Sequence, residues 1–195
     1  MQRQGLYPAP PGWPRDIPGL EMAGEVVSVG PRVTRFAPGD RVVALVGGGA
    51  QATLATVDEA HALAVPASLP WPQAGGLAEV FATAFDALFG QARLTLGERL
   101  LVTGAAGGVG SDAKLQVDLL QLMSRRARLF ASTLRARSRD EKAALVAALG
   151  AHALPLLASG RLRVPVSETF RLREAATAYE RFAGDGKLGK IVLIA

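Results

Sequence analysis

Short apolar runs broken by glycine and proline dominate residues 1–91, and they predict strands rather than helices. The runs read GEVVSVG, DRVVALV and ATLATVDEAHALAVP. Pro38 and Gly39 lie between the first two, where a tight reversal needs them. The opening YPAPPGWPRDIPG predicts an extended arm, because proline removes backbone donors. This part of the chain is therefore expected to form a small β-barrel or sandwich.

A helical period appears in three other stretches. From Pro72 to Phe89, Phe81, Phe85 and Leu88 share one predicted helix face. Ser138 and Glu141 have the spacing of a capping box, which predicts a helix beginning at that point. The stretch LREAATAYERF predicts a third helix with one apolar face. That face comprises Leu172, Ala175, Ala176, Tyr179 and Phe182.

Four further β-rich runs lie among these helices, and we expect an α/β fold. They are ERLLVTG, RLFASTL, RVPVSETF and GKIVLIA. The first leads directly into GAAGGVG, residues 104–110. Such a loop lets backbone N–H groups approach a pyrophosphate at a helix N-terminus. A glycine-rich turn with no ligand is the alternative.

Composition narrows the class of protein. The chain has 195 residues, 49% hydrophobic content, no cysteine and a net charge of +5. No apolar run approaches the roughly 20 residues of a membrane span, and the N-terminus lacks a signal-peptide pattern. We therefore expect a cytoplasmic protein without membrane contact. Arginines cluster in residues 124–139. We interpret this cluster as a solvated or phosphate-facing edge of the protein, and nucleic-acid binding is the weaker alternative.

Several blocks, taken in order, resemble the zinc-free quinone oxidoreductases of the medium-chain dehydrogenase/reductase superfamily, nearest to the tumour-suppressor-induced quinone oxidoreductase branch, beside zeta-crystallin. The blocks are QRQGLYPAPPG, GLEMAGEVVSVGPRVTRFAPGDRV, GERLLVTGAAGGVG, STLRARSRDEKAAL and GKIVL. The resemblance implies a GroES-like β-barrel domain plus a Rossmann-like nucleotide-binding part. It divides the chain into residues 1–91, 92–160 and 161–195, the last returning to the GroES-like domain.

The same resemblance implies the site residues. Tyr7 and Thr83 would border the nicotinamide as the catalytic pair; the alternatives are a packing tyrosine and a hydroxyl bonded to a backbone carbonyl. A second group would bind NADPH: Gly104, Ala105, Ala106, Gly107, Gly108, Val109, Gly110, Ser132, Thr133, Leu134 and Lys190. Ser132 to Leu134 could instead be an ordinary strand end, and Lys190 a structural lysine. His61 and His152 have no partners at catalytic or metal spacing.

No zinc is expected. Zinc-dependent relatives carry Gly-His-Glu where this chain has Gly19, Leu20 and Glu21, and leucine cannot ligate a metal. The chemistry implied is therefore direct hydride transfer from NADPH to a quinone or enone.

The resemblance breaks between Gly110 and Ser111. Only about twenty residues separate GAAGGVG from STLR, although a Rossmann domain has about six strands. On the order of a hundred residues are missing, at roughly 30 per βαβ unit. An incomplete gene, a natural deletion completed by a homo-oligomer, or a rearranged fold would each explain this junction. The leading function is an NADPH-dependent quinone or enone reductase, and the alternative is a catalytically inactive remnant acting as an interaction module.

Overall fold

The computed structural model describes residues 8–100, 118–130, 132–135, 137–184 and 188–195. A three-stranded antiparallel sheet has the order β1-β2-β3, with β1 at Glu21–Glu25, β2 at Arg41–Leu45 and β3 at Ala62–Ala64. The strands predicted from GEVVSVG and from ATLATVDEAHALAVP are shorter and shifted along the chain. The strand predicted from DRVVALV is confirmed, and it lies at the buried centre of this sheet.

The helix predicted from Pro72 to Phe89 is broken into pieces. Helix α1 spans Trp71–Gly75, α2 spans Ala78–Phe85, and a π-helical turn continues over Asp86–Gln91. Phe81 and Phe85 pack against the main core, as their spacing predicts. Gly76 caps α1, and a Cβ there would lie 3.1 Å from Cγ of Lys190, so glycine permits close packing against the C-terminal part of the chain.

The helix predicted at the capping box is confirmed. Helix α4 spans Arg139–His152, the Ser138 hydroxyl accepts from the Glu141 N–H, and the Glu141 carboxylate accepts from the Ser138 N–H. A short helix α5, Leu154–Ala158, follows. The stretch Arg139–Ala158 is long and apolar enough for a membrane span by length and composition. Leu145, Val146 and Leu149 are nevertheless buried in the core, so α4 is a packed helix of the domain.

Replacing Ser138 with alanine is expected to lower the free energy of unfolding by about 1 kcal/mol, because the Glu141 N–H loses its acceptor. Urea denaturation measures the change. Ser159→Ala is the control, since Ser159 is exposed and its hydroxyl bonds only a carbonyl at the end of α5. Equal effects of the two changes would contradict the capping role.

The C-terminal region forms a second sheet. Strand β4, Val166–Arg171, pairs in parallel with β5, Lys190–Ile194, and α6 at Ala175–Ala183 connects them. Both predicted strands are confirmed. The predicted apolar face of α6 is only partly correct, because Ala178 is the buried residue while Ala176 and Phe182 are exposed.

One core joins the first sheet to α1, α2, α4 and α5. Its largest fully buried side chains are Val43, Leu77 and Leu149. Leu134 and Val164 belong to the same cluster, which anchors the segments around them. A smaller cluster forms on the other face of β2 around Ala44, Val46 and Ala62.

The strand predicted from RLFASTL does not form in its described residues. Residues 98–100 of the predicted ERLLVTG strand are not a strand either, and its remainder lies outside the described residues. Residues with high β propensity form a strand only where a neighbouring strand can hydrogen-bond to them. A short helix α3, Leu119–Ser124, lies in this region and exposes Leu119, Leu120 and Met123.

Candidate functional site

Glu21 joins three elements that are distant in sequence. Its Oε1 lies 2.5 Å from Nζ of Lys190 at the start of β5. Its Oε2 accepts from the backbone N–H of Glu79, in the first turn of α2, at 2.9 Å. One carboxylate on β1 therefore ties the first sheet, α2 and the second sheet together. Both side chains of the ion pair are mostly buried, at 14% exposed for Glu21 and 27% for Lys190.

A small pocket opens beside this cluster. Glu79 and Lys142 contribute its acidic and basic groups, and Leu134 with Arg135 forms one wall. Pro10, Leu20, Leu45, Val46 and Gly47 complete the lining. The cavity volume is about 20 Å³, which holds one or two water molecules. A charged group thus faces a mostly apolar pocket whose inner space admits an oxygen-sized atom rather than a ring.

Glu79 has the most perturbed environment of these residues. Burial, followed by the neighbouring Glu21 carboxylate, raises the pKa of Glu79 from 4.5 to about 7, although Lys190 and Lys142 oppose the change. Burial also lowers the pKa of Lys142, and Glu79 opposes that shift. No hydrogen bond to the Glu79 carboxyl occurs among the described residues. The carboxyl is therefore near half-protonation at neutral pH and available to a ligand.

Replacing Glu79 with glutamine is expected to flatten the pH dependence of stability. The folded pKa exceeds the ordinary value of 4.5, so the stabilisation is complete below about pH 4.5 and is lost as the pH rises through about 7. The shift corresponds to about 3 kcal/mol. Thermal unfolding between pH 4.5 and 8 measures the slope for both proteins. Glu180→Gln, on the exposed side of α6, is the matched control, and equal slopes for the Glu79 variant and wild type would contradict the assignment.

A second buried carboxylate, Asp86, holds the segment that carries Ser132. Asp86 is 5% exposed, and its Oδ1 lies 2.6 Å from the guanidinium of Arg137. The Ser132 hydroxyl donates to its Oδ2. Nε of Arg137 is buried and has no hydrogen-bond partner among the residues that the structure describes. Asp86 thereby fixes Ser132 and Arg137 against the end of α2, close in sequence to Leu134 and Arg135 of the pocket wall.

The predicted site residues differ in where the structure places them. Tyr7 and residues 104–110 lie outside the described residues. The Thr83 hydroxyl donates to the carbonyl of Glu79 at 2.7 Å, the bond expected of a structural threonine. Lys190 is paired with Glu21, and Leu134 is 6% exposed within the core. The structure brings Leu134, Lys190 and Thr83 around Glu79 and its bonded neighbours, and their roles toward a cofactor remain predictions.

The described residues offer one feature that suits a nicotinamide. Ser132 and Thr133 are exposed beside the pocket wall, and their backbone groups form no hydrogen bond with any described residue. A carboxamide needs such a donor and acceptor. The cavity is too small for the ring itself, so these backbone groups could hold a carboxamide only with the ring at the mouth of the pocket.

Sequence reasoning missed Glu79, Lys142 and Asp86. Glu79 and Asp86 are charged residues inside an otherwise apolar, alanine-rich helical stretch. Their charge in that setting is the sequence feature that could have indicated buried functional groups. Lys142 follows the capping box and resembles an ordinary exposed lysine. His61 Nε2 bonds the carbonyl of Arg139, and His152 stacks on Phe85.

Within the described ranges, no group of three His, Cys, Asp or Glu residues could hold a metal ion. The arginines of residues 124–139 are partly engaged, because Arg128 pairs with Glu98 and Arg137 with Asp86. Those pairs reduce the free positive charge of the cluster. Zinc independence and the absence of nucleic-acid binding remain predictions.

Comparisons with known proteins agree with this architecture. Residues 1–89 match the alcohol dehydrogenase GroES-like domain. The chain is 37% identical over 150 residues to a quinone oxidoreductase-like protein 2 homolog of Nematostella vectensis, an alignment covering 76% of this chain and 38% of that protein. It is 46% identical over 109 residues to polyketide synthase GfsB of Streptomyces halstedii, covering 56% of this chain and 2% of the synthase.

A solved structure extends the likeness. An alcohol dehydrogenase superfamily protein of Novosphingobium aromaticivorans superposes with a TM-score of 0.73 at 21% identity, covering 92% of this chain and 82% of that one. The expected α/β fold with a GroES-like domain is thereby confirmed. The chain spans 38% or less of the two curated relatives.

Proposed function

We propose that the chain is an oxidoreductase that reduces a quinone or an enone with NADPH and without zinc, as a member of the zeta-crystallin-like branch. The observation that carries this proposal is the pocket that residues of the GroES-like match share with Leu134, Arg135 and Lys142, where Glu79 and Lys142 face a mostly apolar cavity. Similarity to a quinone oxidoreductase-like protein supports the same chemistry.

Each part of the site has a task in this reaction. The backbone groups of Ser132 and Thr133 would hold the carboxamide of the nicotinamide, and residues 104–110 would hold the pyrophosphate. When bound, NADPH supplies a hydride to the acceptor. The apolar side chains of Leu20, Val46 and Leu134 line the inner space that would receive the acceptor oxygen. The Glu21–Lys190 pair fixes the start of α2 and so positions Glu79.

Titration with NADPH, followed by nicotinamide fluorescence, tests the proposal. We expect saturation at micromolar concentration for the wild-type chain and none for Gly108→Asp, whose carboxylate would repel phosphate. Gly30→Asp is the matched control, because a Cβ at Gly30 meets nothing within 4 Å. No wild-type binding up to millimolar concentration would contradict the proposal, and unchanged affinity of Gly108→Asp would remove the loop from the site.

A catalytically inactive interaction module is the second candidate. The exposed apolar side chains of α3 and its surroundings favour it, since Leu119, Leu120, Met123 and Leu129 are each more than 60% exposed. We propose a homo-oligomer located in the cytoplasm under either function. Light scattering after gel filtration would show an oligomer, and a monomer at all concentrations would exclude this assembly.

A further inference from the structure

Glu79 combines three features that no assigned role uses. It lines the pocket, its carboxyl has no hydrogen-bond partner in the described part of the chain, and its backbone is fixed on both sides. The N–H bonds Glu21 and the carbonyl accepts from Thr83. The backbone of Glu79 is thus held in place while its carboxyl makes no hydrogen bond with the described residues. Such a carboxyl can exchange a proton with a ligand without first breaking an internal contact.

We propose that Glu79 is the general acid of the pocket and gives its proton to the carbonyl oxygen of the acceptor. The proposal rests on the proposed reductase function and adds the proton donor to it. The small cavity agrees with this role, because it admits an oxygen atom while the body of the acceptor stays at its mouth.

Hydride addition and proton transfer together reduce the enone. When bound, NADPH would supply a hydride to the β-carbon of the enone, and the electron pair of the C=C bond would shift toward the carbonyl. The oxygen then takes the proton of Glu79, which gives an enol and the Glu79 carboxylate. The enol tautomerises to the saturated ketone, and water returns a proton to Glu79. A quinone gives a hydroquinone by the same net transfer of one hydride and one proton. Where the hydride enters at a ring carbon, that carbon then loses a proton to water and the second oxygen gains one.

The charged neighbours of Glu79 suit both halves of this step. Glu21 carries a negative charge beside it and favours the protonated acid before transfer. Lys190 neutralises Glu21 directly, and Lys142 contributes a positive charge to the pocket that Glu79 lines. Lys142 also donates to the Arg135 carbonyl at 3.2 Å, which holds its ammonium in place. These cations stabilise the carboxylate that remains after transfer and the negative charge that develops on the acceptor oxygen.

The test compares wild type, Glu79→Gln, Glu79→Asp and Glu180→Gln in NADPH-dependent reduction of a naphthoquinone and a chalcone across pH 5–9. We expect wild-type kcat to fall as the pH rises through neutrality. Glu79→Gln should lose about 10²-fold in kcat and show no such decline, since general acid catalysis contributes on this scale. Glu79→Asp should keep the decline with intermediate kcat, and Glu180→Gln should match wild type.

Two further readouts separate the possible failures. NADPH affinity should be the same in wild type and Glu79→Gln, and a ¹³C carboxyl resonance that titrates near neutral pH should vanish in that variant. Wild-type turnover with an undiminished Glu79→Gln, or the absence of such a resonance, would overturn the proton-donor role and leave the reductase standing. A wild-type chain that neither binds nor oxidises NADPH would overturn both.

Discussion

Replacing Asp86 with alanine is expected to lower the free energy of unfolding by about 3 kcal/mol, at the lower end for a broken buried ion pair. Asp86 is almost fully buried and pairs with Arg137 at 2.6 Å. Removing the Asp86 carboxylate leaves the Arg137 side chain, which is only 21% exposed, paired with the exposed Glu141. It also removes the acceptor of the Ser132 hydroxyl. Chemical denaturation followed by circular dichroism measures the loss.

The Asp86 prediction has a matched surface control and a rescue. Arg128→Ala breaks the exposed pair with Glu98 and should change stability by about 0–1 kcal/mol. Asp86→Leu combined with Arg137→Met should recover much of the loss, because it removes both charges. A loss below about 1 kcal/mol for Asp86→Ala would show that Asp86 does not anchor Ser132 and Arg137.

Replacing Lys190 with methionine is expected to destabilise the chain by about 2–4 kcal/mol at pH 8. Methionine keeps the apolar stem that packs on Gly76 but leaves the mostly buried Glu21 without its cation. Lys142 is then the cation that still offsets the repulsion between Glu21 and Glu79, so the pKa of Glu79 rises further above its ordinary value. The destabilisation should shrink as the pH falls toward 5, because protonation relieves the repulsion. Thermal unfolding at the two pH values measures both effects.

A double-mutant cycle sharpens the Lys190 test. Lys190→Met together with Glu21→Gln removes the pair as a unit and should be less destabilised than Lys190→Met alone. Additive losses would mean that Lys190 and Glu21 do not stabilise each other. In that case the link between the first sheet and β5 would depend on packing alone.

The parts of the fold that are encoded locally could be predicted from sequence. The capping box at Ser138 and the strand in DRVVALV are examples, because each depends on residues a few positions apart. The RLFASTL strand could not be predicted correctly, since its fate depends on whether a neighbouring strand exists. The cluster of Glu21, Glu79 and Lys190 could not be predicted from local sequence either, because Lys190 lies 169 positions from Glu21. Family resemblance indicated Lys190 and the region of Thr83, whereas the structure identifies Glu79 between them as the chemically distinctive group.

Transfer of deuterium from NADPH labelled at the nicotinamide C4 to an enone tests the central claim most directly. The purified chain is incubated with the labelled cofactor and a chalcone, and the product is analysed by mass spectrometry and NMR. The account predicts a saturated ketone with one deuterium on the β-carbon, formed at the same rate in the presence of a metal chelator. Product without deuterium, or no product above the rate without protein, would contradict it.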